Sequence, residues 1–98
     1  MEYDELLELV YDTATEFTTR GPGWALQATV LSEVACQIKR SEDLRVQELI
    51  LTCWHDLFRL GRLSWGSSLD NPNAPFYHVP ERDKVRNKVR EKVRGSRP

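Results

Sequence analysis

The sequence has few of the residues that build metal centres, disulfide frameworks or membrane spans. Its 98 residues include two cysteines and two histidines, without the Cys-x-x-Cys or His-x-x-x-His spacing that zinc sites use. No run approaches the roughly 20 consecutive apolar residues that cross a bilayer. The first five residues, MEYDE, have neither the basic nor the apolar region of a secretory signal. We therefore expect a cytoplasmic protein without metal ions, cofactors, disulfides or a membrane partner.

Motifs for catalysis are equally scarce. Cys36 and Cys53 fall within apolar helical patterns, so we expect two buried thiols rather than exposed nucleophiles. Residues 20–23, RGPG, contain two glycines but lack the Lys and the Ser or Thr of a phosphate-binding loop. The carboxylates near the N-terminus indicate a solvated helix face and form no acid/base pair. We expect that the protein is not an enzyme.

Charge divides the chain into two parts. Residues 1–80 hold six basic against twelve acidic side chains, whereas residues 81–98 hold eight basic against three acidic ones. With 40% apolar residues, the chain has enough apolar surface for one small core. We predict one domain over residues 1–80 and a basic C-terminal tail over residues 81–98. Such a tail is typical of proteins that meet polyanionic partners.

Three amphipathic helices are indicated by apolar residues at helical spacing. The first covers about residues 3–19 and stops at Gly21, and the second covers about residues 26–40. The third follows Ser41, a candidate N-cap, and ends at Gly61. One core is predicted to contain Leu31, Val34, Leu49, Ile50, Cys53 and Leu57.

Beyond the third helix the apolar period changes from 3.6 to 2. Leu63 and Trp65 alternate with polar residues, and residues 76–79 are mostly aromatic or β-branched. Between them, residues 70–73 read DNPN, which is strong turn chemistry because Asn and Asp tolerate left-handed backbone and Pro fixes φ. We predict a two-stranded β-hairpin with its tip near residues 71–74.

Three helices followed by a hairpin resemble the winged helix-turn-helix family over about residues 3–80. The stretches LFRLGRLSWG and DNPNAPFYHVPER look like the end of the third helix and the wing of bacterial members whose wing tip reads Asn-Pro-x-x-Pro-Phe-aromatic. The resemblance implies an α+β domain whose third helix enters a DNA major groove, with the wing beside the backbone or minor groove.

The resemblance therefore predicts a DNA-binding, regulator-like module. Arg45 and Gln47 are candidates for base contacts from the first half of the third helix. Candidates for phosphate contacts near the helix-turn-helix and the wing are Lys39, Arg40, Arg59 and Arg62. The tail repeats Lys-Val-Arg three times and adds the phosphate-contact candidates Lys84, Arg86, Lys88, Arg90, Lys92 and Arg94.

A second function class stays open on the same fold. Glu42, Asp43 and Glu48 lie among the candidate base contacts and oppose phosphate binding. The alternative is a protein-interaction or dimerisation module that binds no DNA. The tail likewise has two interpretations, a disordered arm or a short fourth helix docked through Val85, Val89 and Val93.

Overall fold

A computed structural model describes residues 2–39 and 42–80. Within this part of the chain, three helices and three short strands follow one another as α1, β1, α2, α3, β2 and β3. The helices are α1 (Tyr3–Arg20), α2 (Gln27–Gln37) and α3 (Leu44–Arg59). The strands are β1 (Trp24–Leu26), β2 (Ser64–Trp65) and β3 (Phe76–His78). The predicted α+β class and its three helices are confirmed.

The strands form one antiparallel sheet in the order β1-β3-β2. The predicted hairpin is the β2–β3 pair, in which Trp65 faces Tyr77. The sheet has three strands rather than two, because β1 pairs with the other edge of β3 and Trp24 faces His78. A backbone bond from Gln27 N to Pro75 O (3.0 Å) continues this pairing beyond β1. The backbone of β3 is thus hydrogen-bonded on both sides.

Helix α2 is shorter than the predicted range of 26–40. Leu26 belongs to β1 rather than to the helix, and the helix ends at Gln37. The backbone amide of Lys39 donates to Cys36 O (3.1 Å), and Lys39 itself adopts a φ of 56°. A left-handed residue at this position ends the helix and turns the chain towards α3.

Helix α3 begins after Asp43. The Oδ1 atom of Asp43 accepts hydrogen bonds from the amides of Arg45 (3.0 Å) and Val46 (3.4 Å), which satisfies donors that the first turn of a helix leaves open. Asp43 is therefore the observed N-cap, and the predicted cap, Ser41, lies outside the described residues. At the other end Gly61 has a φ of 76°, as a residue that follows a helix C-terminus often does.

The core is built by α1, α2, one side of α3 and the central strand. Trp54 is fully buried and its ring lies 5.2, 6.1 and 5.0 Å from those of Phe58, Trp65 and Tyr77. Its Nε1 donates to Gln27 Oε1 (2.9 Å), so the buried indole is paired. The complete set of buried apolar residues is Leu6, Val10, Ala14, Val30, Val34, Ile50, Cys53, Trp54, Leu57, Leu63, Tyr77 and Val79.

Three of the predicted burials are wrong or only partly right. Val34, Ile50, Cys53 and Leu57 are buried as predicted. Leu31 is only half-buried, Leu49 is 37% exposed, and Cys36 is exposed.

Candidate functional site

The outward face of α3 carries charges of both signs. Its exposed polar members are Arg45, Glu48, Thr52, His55 and Arg59. Glu48 lies one turn after Arg45 and on the same side of the helix. The positive potential that phosphate binding requires is therefore interrupted along this face.

A groove of about 340 Å³ separates α2 from α3. It is lined by Leu31, Ser32, Ala35, Gln47, Ile50 and Leu51. Leu51 is 41% exposed because it lies about 100° around the helix from the buried Ile50. Leu44 lies two turns before Leu51 on the same side and is 71% exposed. Apolar side chains thus continue from the core to a surface that no described residue covers.

Arg62, a candidate phosphate contact, binds within its own protein. Its Nη1 and Nη2 atoms donate to the Glu8 carboxylate at 2.7 and 3.3 Å. The Cζ atom lies 3.9 Å from the centre of the Tyr11 ring, a cation–π contact. The hydrogen bonds from Arg62 also lower the pKa of Glu8. The guanidinium therefore fastens the base of the hairpin to α1.

Arg59, a second candidate, donates a hydrogen bond to the Asp56 carboxylate. The Tyr3 hydroxyl donates to the same carboxylate from α1. The hydrogen bonds from Tyr3 and Arg59 lower the pKa of Asp56, and the bond to this acceptor raises the pKa of Tyr3 to about 12. Arg59 thus belongs to a cluster that joins the start of α1 to the end of α3.

The other candidates divide into three groups. Lys39 and Arg45 are exposed at the end of α2 and the start of α3. Gln47 is half-buried and lines the groove, so it does not lie on the outward face of α3. Arg40 and the tail candidates Lys84, Arg86, Lys88, Arg90, Lys92 and Arg94 lie outside the described residues.

The loop between β2 and β3 offers no cation to a phosphate. Residues 66–75 contain neither Lys nor Arg, and their single charged residue is Asp70. Leu69 is 99% exposed in this loop. A hairpin loop that lies against DNA would need basic side chains in this position to attract the phosphates.

A second cavity, of about 530 Å³, lies between the turn before β1 and the hairpin loop. Its polar side chains are those of Ser67, Ser68 and His78. The Nδ1 atom of His78 lies 2.8 Å from Gly66 O, and the amide of Ser67 donates to Asn71 O at 2.8 Å. These hydrogen bonds hold the hairpin loop in shape.

The cysteines differ in their surroundings. Cys36 is exposed on α2, whereas Cys53 is buried in the core. Burial raises the pKa of Cys53 to about 11, which suppresses the reactive thiolate. Within residues 2–39 and 42–80, no three His, Cys, Asp or Glu side chains come together as ligands for a metal ion.

The groove is the feature that sequence reasoning missed. The sequence carries a signal for it, because α3 contains Leu44 and Leu51 in addition to the Ile50 and Leu57 that it buries, but periodicity alone does not show which side of so apolar a helix is covered. Among the described residues no helix is long and apolar enough to cross a membrane. Comparison of the chain with protein-family models, curated proteins and solved structures gives no match.

Proposed function

We propose that the chain is a winged-helix module that binds another protein through the groove between α2 and α3. The order of elements and the β1-β3-β2 sheet support the winged-helix assignment, as does the resemblance of the hairpin sequence. We call the binding region the α2–α3 surface. It comprises Leu31, Ala35, Leu44, Gln47 and Leu51.

The observation that carries this proposal is the exposure of two leucines on the α3 side of the groove. Leu44 and Leu51 expose much of their side chains, although α3 already places Ile50 and Leu57 in the core. Contiguous apolar surface with a polar rim is typical of protein interfaces. Glu48 and Lys39, both exposed nearby, provide charged groups for such a rim.

Charge supports a protein partner over DNA for the described part of the chain. Residues 2–39 and 42–80 contain five Lys and Arg against twelve Asp and Glu. Three of the five, Arg20, Arg59 and Arg62, bind carboxylates of the same protein. Release of counterions by cationic side chains supplies most nonspecific DNA affinity, and the described residues offer little of it.

The experiment compares two single substitutions of exposed leucines. The wild-type protein, Leu51→Glu and Leu69→Glu are immobilised and exposed to an extract of cells that naturally contain the protein. The proteins that bind are identified by mass spectrometry. We expect a partner that binds the wild type and Leu69→Glu but not Leu51→Glu, because only Leu51 lines the groove. Retention of the same partners by all three proteins would contradict the proposal.

DNA binding is the second candidate, and the composition of residues 81–98 favours it. Eight basic side chains there face three acidic ones, and Arg45 is exposed at the start of α3. Deletion of residues 84–98 should then weaken duplex binding at least about tenfold at low salt and make the slope of log K against log salt shallower by roughly three units. Arg45→Glu should weaken binding further if α3 faces the groove of the DNA. Absence of duplex binding by the full chain would exclude this candidate.

A further inference from the structure

We propose that the groove of the α2–α3 surface is the docking site of the chain's own residues 84–94, which fold back onto it in the same molecule. The inference rests on the proposed function, because it identifies an internal ligand for the same surface. The segment would then compete with an external partner.

The apolar pattern of the segment fits the groove. Val85, Val89 and Val93 are spaced by four residues, which places them on one side when a segment is helical. Leu31 and Leu51 present apolar side chains from the two walls of the groove. A row of apolar side chains laid into a groove between helices is a recurrent mode of peptide recognition.

Charge complementarity favours this segment over an uncharged apolar one. Each of its three valines is flanked by a Lys and an Arg, and residues 84–94 contain one acidic side chain, Glu91. The described part of the chain has more than twice as many acidic as basic side chains. Glu48 lies one turn before Leu51, and Glu42 lies in the turn between α2 and α3; both are exposed, and they outnumber the one cation, Lys39, named at this rim. Opposite charges at the rim of an interface favour encounter and orientation.

The segment can reach the groove. β3 ends at His78, which pairs with Ser64, so Pro80 follows close to the end of α3 from which β2 begins. The 16 residues of α3 correspond to about 24 Å. The groove residues Leu51 and Gln47 lie about 12 and 18 Å from the end of α3. The four steps from Pro80 to Lys84 span up to about 13 Å when extended, and a helix over residues 84–89 adds about 8 Å. A connection within one molecule is therefore long enough.

The test uses the exposed thiol of Cys36 as a probe. Cys36 lies one helical turn after Ser32, a groove residue, while Cys53 is buried and escapes labelling. A nitroxide on Cys36 of the ¹⁵N-labelled full chain broadens NMR signals of nearby amides. We expect loss of intensity for residues 84–94, restored when the nitroxide is reduced.

Matched variants assign the contact. Leu51→Ser and the triple variant Val85→Ser, Val89→Ser, Val93→Ser should each restore the intensities of residues 84–94, and Leu69→Ser, the same change outside the groove, should not. Unchanged intensities in the wild type would overturn the inference. So would equally strong broadening in a mixture of ¹⁵N-labelled chains and separately spin-labelled chains, because the segment would then dock on a second copy. Partner binding that still depends on Leu51 would leave the proposed function intact in either case.

Discussion

Tyr77→Phe isolates the hydrogen bond that joins the central strand to α1. Tyr77 is fully buried, and its hydroxyl donates to Ala14 O at 2.7 Å. Phenylalanine keeps the ring and its edge contact with Trp54, whose centroid lies 5.0 Å away. One hydrogen bond contributes about 0.5–1.5 kcal/mol net. We expect the free energy of unfolding to fall by about 1 kcal/mol, since a helical carbonyl keeps a second donor, the amide four residues on.

Urea denaturation followed by tryptophan fluorescence measures this change. The matched control is Tyr11→Phe, which removes a hydroxyl from a half-buried tyrosine but keeps the ring face beneath Arg62. We expect the control to change the free energy of unfolding by less than about 0.5 kcal/mol. Equal losses in the two variants, or no loss in Tyr77→Phe, would refute the role given to the Tyr77 hydroxyl.

The difference in stability between the wild type and Tyr77→Phe depends on pH. Burial raises the pKa of Tyr77 above its ordinary range, so the folded state favours the neutral phenol. This contribution is complete below the unfolded-state pKa of about 10 and is lost as pH rises through the higher folded-state value. We therefore expect the stability advantage of the wild type over Tyr77→Phe to shrink as the pH is raised above about 10.

Three further predictions concern the core, the hairpin and the thiols. Leu57→Ala should lower the free energy of unfolding by about 2–5 kcal/mol because Leu57 is fully buried; a loss below about 0.5 kcal/mol in chemical denaturation would place it on the surface. Gly66→Ala should lower the melting temperature more than Gly23→Ala, because both glycines have positive φ but a Cβ at Gly66 would lie 2.9 Å from a backbone atom of the hairpin loop; equal shifts would assign the effect to φ alone. A thiol reagent should modify Cys36 rapidly and Cys53 only after unfolding; two fast thiols in the folded protein would contradict the burial of Cys53.

The helices could be predicted from the sequence because each helix buries one face, so its apolar residues recur every three to four positions. The core residues of α1 and α3 recur at helical spacing, so α1 was placed to within one residue of its end. β1 was missed because three residues carry almost no period. Its existence depends on Trp24 pairing with His78, and a pairing across so many residues leaves no local signal.

The candidate site shows the same limit. A helix with apolar residues around most of its circumference does not indicate which of them face the core. Leu49 is therefore predicted in the core, although it is 37% exposed. The sequence predicts Arg62 as a phosphate contact and gives no sign of its pairing with Glu8, because Glu8 lies 54 positions earlier in the chain. Charge composition predicts that residues 1–80 are net acidic, but it does not show which basic side chains pair with carboxylates of the same protein.

The central position of β3 has a consequence for synthesis on the ribosome. β1 and β2 both bond to β3 and to no other strand in the described sheet. All three helices and two of the strands leave the ribosome before β3 does. Until then the Trp54 indole lacks the Tyr77 ring against which it packs, and neither edge strand has a partner. The nascent domain therefore cannot complete its core until β3 has emerged, and the aromatic surface that packs against β3 stays exposed until then.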